Sequence, residues 1–161
     1  MAAQALPERE MRKAYEPLYP GVFVPRGVTP SARQRATAAW LWSRRRSVVA
    51  GRSAAVMLGD KWVDGALPAE LNYYNRKSPK GIIVRAEDLA PGEVQSMGEM
   101  RVTTSARTAF DIGRHTAQRA QAVKRLDALA NATGITRADI DAVSPPTQGR
   151  GGCRVCDGSC H

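Results

Sequence analysis

VTTSARTAFDIGR, residues 102–114, is the stretch whose reading decides the fold. Val102 and Thr103 read as the end of a strand. Thr104 and Ser105 follow as cap residues, and a helix over about 105–114 opens with Arg107 and carries Asp111 one turn later. An Arg–Asp pair at i,i+4 in this order stabilises an isolated helix by a few tenths of a kcal/mol at most. That is too little to account for such a pair on an otherwise apolar helix. The expectation is a structural lock, in which Arg107 reaches back across a sheet to a carbonyl or carboxylate and Asp111 orients it.

Working outward, "GEVQSMGEMRVTT" adds two short strands, 93–97 and 100–103, that reverse near Gly98. "AELNYYN" (69–75) and "GIIVR" (81–85) read as strands joined by the basic loop "RKSPK". Upstream, "VTPSARQRATAAWLW" carries two start signals, Thr29 with Pro30 or Ser31 with Gln34, for a helix over about 30–43. "SVVAG" reads as an apolar turn before a helix over 52–58 that ends at Gly59. Downstream, Ala120, Val123, Leu126 and Ala130 line one side of a helix over 117–131, and Thr136 with Asp139 caps a last short one.

These elements predict an α+β fold: a small, mostly antiparallel sheet covered by helices, with a strand at 18–25 before it. Residues 1–17 read as a flexible lead, 18–144 as a single domain and 145–161 as a Pro/Gly/Cys-rich tail. The chain's 161 residues suffice for one domain with a core. No apolar run is long enough to span a membrane and the first residues lack a signal peptide's apolar region, so a cytoplasmic location is expected.

The formal net charge is +9 and it is unevenly placed. Residues 1–60 hold ten Lys/Arg against four Asp/Glu (+6), the remainder fourteen against eleven (+3). No acidic side chain occurs from Pro17 to Gly59. Such a field attracts polyanions, because each phosphate neutralised releases a counterion. Arg33, Arg44, Arg45, Arg46 and Arg52, with Lys77 and Lys80 of the basic loop, are the expected phosphate contacts, and Tyr73 and Tyr74 add aromatic surface beside them. A positive helix C-terminus or a solvated face would also account for the arginines. The reading requires the amino-terminal cations to share one surface.

For catalysis the inventory is thin. His115 is the only internal histidine, and a helix end more often uses it as a cap. No phosphate-cradling GxxxxGK[ST] loop occurs. Glu87/Asp88 and Asp139/Asp141 fall where loops and caps are expected. Cys153, Cys156, Cys160 and His161 could supply four zinc ligands. They lie within nine residues, however, two of them adjacent, whereas structural sites usually join two separate ligand pairs. Neither metal nor cofactor is expected, and the chain reads as a non-enzyme.

The runs "LYPGVFV", "RQRATAAWLW", "VVAGRSAAVMLG", "RVTTSARTAFDIGR", "AVKRLDAL" and "TRADIDAV" resemble the middle region of AbiEi-type antitoxin proteins. They are similar to actinobacterial relatives in which that region precedes a very-short-patch-repair-like endonuclease domain. The resemblance covers about residues 18–143, and "GRSAA" and "TTSARTAFD" are its most specific parts. It implies a DNA-associated regulatory protein, typically an autorepressor of a toxin–antitoxin operon, with a toxin as partner. The departures lie at the ends: only "YEPLYPGVFV" matches the wing strand of the family's winged helix, and "GRGGCRVCDGSCH", as a shifted reading frame would leave it, stands where an acidic nuclease core would begin. Nuclease activity is not carried over. The alternatives are a protein-interaction module binding a toxin or itself through 69–103 and Trp62, and an inactive remnant of a nuclease-bearing protein.

Overall fold

A computed structural model describes residues 7–75 and 77–143. The cysteine-rich tail, Arg76 and the first six residues lie outside the described residues. Helix α1 (Glu8–Ala14) leads into a hairpin of β1 (Tyr15–Tyr19) and β2 (Val22–Pro25). Tyr15 pairs with Pro25 and Glu16 with Val24, so part of the expected lead is folded and the expected single strand is two. Sequence pattern hides this because a two-stranded ribbon at the surface carries little apolar alternation, and Pro17 sits where an edge strand tolerates a missing donor.

Helix α2 (Ala32–Trp42) starts at the second of its two signals. The Ser31 hydroxyl accepts the Gln34 N–H at 3.2 Å, and the Gln34 side-chain oxygen accepts the Ser31 N–H at 2.9 Å, a reciprocal cap. Strand β3 (Val48–Val49) and helix α3 (Gly51–Met57) follow, then β4 (Ala69–Asn72), β5 (Ile82–Arg85), β6 (Val94–Met97) and β7 (Met100–Thr103). Helices α4 (Ser105–His115), α5 (Arg119–Thr133) and α6 (Arg137–Asp141) complete the described chain.

The larger sheet has the order β5-β4-β3-β7-β6. Strand β3, read from sequence as a turn, is its centre; two residues are too few to show a period. It pairs antiparallel with β4 and parallel with β7, while β4–β5 is parallel and β6–β7 is the hairpin at Gly98. The fold is α+β, and the sheet is mixed.

Register separates the sheet's two faces, because successive side chains point to opposite sides. Val49 lies beside Leu71 and Val102, and Leu71 beside Val84. This row packs on Ala36, Ala39 and Trp40 of α2, with Ala54 and Met57 of α3. The opposite row is mostly polar, with Glu70, Asn72, Arg85, Arg101 and Thr103 beside Val48 and Ile83. A second apolar cluster of Ala55, Ala109, Ile112 and Leu129 joins α3, α4 and α5. Segment 86–93 runs from β5 at one sheet edge to β6 at the other, held to β4 where the Asn72 amide donates to the Glu87 carbonyl (2.8 Å) and accepts its N–H (2.9 Å). Among the described residues no helix is long and apolar enough to cross a membrane.

Leu71 is fully buried on the apolar face. Leu71→Ala is expected to cost about 2–5 kcal/mol through lost transfer energy and the cavity left behind, read from the urea midpoint.

Candidate functional site

Two groups of polar side chains stand out, one buried and one exposed. The buried group centres on Arg107, whose side chain is 1% exposed. Thr104 caps α4 by accepting the Arg107 N–H (3.4 Å), which fixes where the side chain departs. The guanidinium donates to Glu87 Oε2 at 2.5 Å, to Glu93 Oε2 at 3.2 Å and to Asp111 Oδ1 at 3.0 Å. Arg114 donates to the other Glu87 oxygen, and His115 Nε2 lies 3.3 Å from it. The guanidinium thus holds helix α4 to segment 86–93, and not directly to a strand.

Two arginines therefore face three carboxylates. Burial pushes the Asp111 carboxyl up to about 6, with Arg107 opposing that shift and Glu87 reinforcing it. Burial also lowers His115, and the nearby Arg85 and Arg114 lower it further. Oxygen and nitrogen atoms of Glu87, Asp111 and His115 lie within 4.8 Å of one another, the spacing of a metal triad. The donor set does not fit a cation, since both Glu87 oxygens and Asp111 Oδ1 already accept from guanidiniums whose charge would repel one.

A neighbouring buried pair joins α3 to β4. Arg52 donates from Nε to Glu70 Oε1 at 2.7 Å and from its backbone N–H to Oε2 at 3.0 Å. Arg52, expected from sequence among the surface phosphate contacts, is instead committed to an internal carboxylate. Gly51 makes this close approach feasible: its φ is +54°, and a Cβ there would lie 1.7 Å from Glu70 Oε2.

The exposed group lies at the sheet end shared by the starts of β3 and β7 and the ends of β4 and β5. Arg46, Tyr73, Tyr74 and Arg101 line one shallow groove there, with Glu87, which is bound by Arg107 and Arg114, and Asp88 also in its wall. The Tyr73 hydroxyl donates to that of Tyr74 at 3.3 Å, the rings being 4.4 Å apart, and Trp42 meets Tyr73 edge-on at 6.2 Å. The Tyr73 hydrogen bond, with Arg46 and Arg44 nearby, holds the Tyr74 hydroxyl below its ordinary pKa. Arg101 donates to the Arg46 carbonyl at 2.8 Å.

Helix α2 ends so as to present these arginines. The Arg45 N–H bonds the Trp40 carbonyl and the Arg44 N–H the Leu41 carbonyl, the paired bonds of a Schellman end. The left-handed position there usually belongs to glycine, yet Arg44 and Arg45 hold φ of 56° and 62°. Arg45 lies over the Trp40 ring at 5.4 Å, where such ends commonly place an apolar contact, and it pairs with Glu99 at 2.7 Å.

The sequence-predicted cations therefore do not share a single surface. Arg46 belongs to the aromatic groove, Arg44 lies near enough to act on its tyrosines by charge, and Arg45 is bound to Glu99. Arg33 lies near the far end of α2, beside Lys61. Lys77 is exposed in the loop that leaves Tyr74, and Lys80 is exposed at the start of β5, a strand's length from the tyrosines. Arg101, Arg114, Glu70 and Glu93 were missed, and Glu87 was read only as a loop carboxylate. The spacing 107, 111, 114 places three charges on one helix face and was a readable signal; the loop glutamates carry none. No family model matches the chain, and neither a curated protein nor a solved structure matches it.

Arg107→Met is expected to destabilise the fold by about 3–5 kcal/mol, because it strands buried carboxylates without their cation. Asp111 has a folded pKa near 6 against an ordinary 3.8. The folded chain therefore holds this proton more tightly, so the group's stabilising contribution is complete below the ordinary value and is lost as pH rises to about 6. Chemical denaturation of the native chain and Asp111→Asn across pH 4–7 should show a falling component that the variant lacks.

Proposed function

We propose that this protein is a non-enzymatic, DNA-associated regulatory domain that holds a phosphate backbone with the basic aromatic groove at the end of its sheet. The observation that carries this reading is that Arg46 and Arg101 share one groove with Tyr73 and Tyr74, with the charge of Arg44 nearby and Tyr74 71% exposed. Guanidinium groups match phosphate in geometry as well as charge, and tyrosine faces beside them suit sugar or an unstacked base.

The left-handed arginines support the reading in another way. A non-glycine residue in that region costs roughly 1 kcal/mol, and such strain collects where a side chain has work to do. Each of Glu70, Glu87, Glu93 and Asp111 is matched to a guanidinium, while the buried Asp60 accepts the Trp62 backbone N–H. The resemblance to AbiEi-type antitoxins supports a regulatory setting with a toxin partner, and the net charge of +9 supports a polyanionic one.

Fluorescence anisotropy with a labelled duplex should show affinity falling steeply with salt. Arg46→Ala should weaken binding and reduce the salt slope by about one unit, as expected for one lost phosphate contact. Arg33→Ala, remote from the groove, should change little. Absence of binding at low salt removes the proposal. Arg44→Gly should raise stability by about 0.5–1 kcal/mol, through relief of the left-handed strain, and at the same time weaken binding.

A further inference from the structure

We infer that the cleft between α5 and the segment after α3 binds a nucleoside phosphate, with the phosphate on Arg85 and Arg125 and the base against Trp62. The inference does not rest on the DNA reading, since Arg46, Tyr73 and Tyr74 line a different groove. Two cavities of about 320 and 640 Å³ adjoin here and share Arg52, Gln121 and Arg125 in their walls. Their volumes are those of small-molecule sites.

The smaller cavity brings three guanidiniums together. Glu70 is occupied by Arg52, and Arg85 stands 3.6 Å from it. The Arg85 side chain donates no hydrogen bond among the described residues. Among the described residues Arg125 donates to two neutral partners, Thr116 Oγ1 at 3.1 Å and Gln121 Oε1 at 3.5 Å. Asp111, at the edge of the cavity, is bound by Arg107. Two guanidiniums with uncommitted N–H groups therefore face one space, and a phosphate's several oxygens can accept from both.

The larger cavity supplies the other half of the ligand. Trp62 is 87% exposed, the most exposed large apolar side chain among the described residues, and packing gives no reason for it. It shares its wall with Val63, Leu67 and Ala128, while Asp127 and Asn131 border the same space together with Lys124 and with Asp60 and Asp64, whose Oδ1 atoms accept the Trp62 and Ala66 backbone N–H. A flat indole against an apolar wall suits the face of a base, and the polar pair suits ribose hydroxyls or base edges. An inorganic anion needs no tryptophan, and an apolar peptide needs no converging arginines. A phosphate joined to a flat heterocycle uses both.

The test is calorimetric titration of the full-length protein with the four common ribonucleoside monophosphates, with adenosine and with inorganic phosphate. Tryptophan fluorescence is followed in parallel. At least one nucleotide should bind saturably and quench fluorescence, at least tenfold more tightly than adenosine or phosphate alone. Arg125→Gln should weaken that binding at least tenfold. Trp62→Phe should abolish the quenching and weaken nucleotide binding while leaving phosphate binding unchanged. Both positions are solvent-accessible, and circular dichroism verifies that the variants fold. Arg46→Ala should bind nucleotide as the parent does, which separates this site from the DNA groove. No heat at millimolar nucleotide, equal affinity for nucleotide and inorganic phosphate, or unchanged binding by Arg125→Gln overturns the inference.

Discussion

A guanidinium taken out of water has to be matched by carboxylates at hydrogen-bond distance, and this fold is arranged around one such match. Arg107 needs Glu87 and Glu93, which lie on a segment with no helical or strand period of its own except a single 3-10 turn. Helix α4 is thereby tied to segment 86–93. That segment is tied in turn to β4 through Asn72, and β4 to α3 through Glu70 and Arg52. The sheet accordingly has one face held by apolar packing and one held by ion pairs. Ion pairs of this kind cost desolvation and add little net stability, but losing a single partner is expensive. Their role here is to fix where the loop and helix lie.

The same polar layer explains why the molecule offers arginine-lined clefts. Most guanidiniums on this side of the sheet are spent on carboxylates, and those at its border, Arg85 and Arg125, retain donors facing outward. The far end of the sheet uses a different device. There the backbone of α2 terminates in a conformation that suits glycine and carries arginine instead, so that Arg44 and Arg46 emerge beside two tyrosines.

Helices with clear caps and faces were legible in the sequence: Ser31 and Gln34, Thr104, and Thr136 with Asp139 all mark starts that the structure uses. The 105–114 helix and the 100–103 strand were read to within a residue. What stayed hidden was short or non-periodic. Val48–Val49 is the centre of the sheet, yet two residues cannot display alternation. The β1–β2 hairpin hides in polar sequence. The site was harder to read than the fold, because charge counting treats every arginine as a surface group. Arg52 and Arg107 are internal, whereas Arg101 and Tyr74 become neighbours only through the sheet's register.

The two-residue central strand sets the order in which the chain can assemble. Strand β3 hydrogen-bonds to Asn72 and Leu71 on one side and to Arg101 and Val102 on the other, so its second neighbour is made some fifty residues after it. During synthesis the glutamates of segment 86–93 likewise leave the ribosome before the arginine that neutralises them. Until α4 has emerged, the growing chain holds an unclosed sheet edge beside repelling carboxylates, and cooperative closure waits on the carboxy-terminal helices.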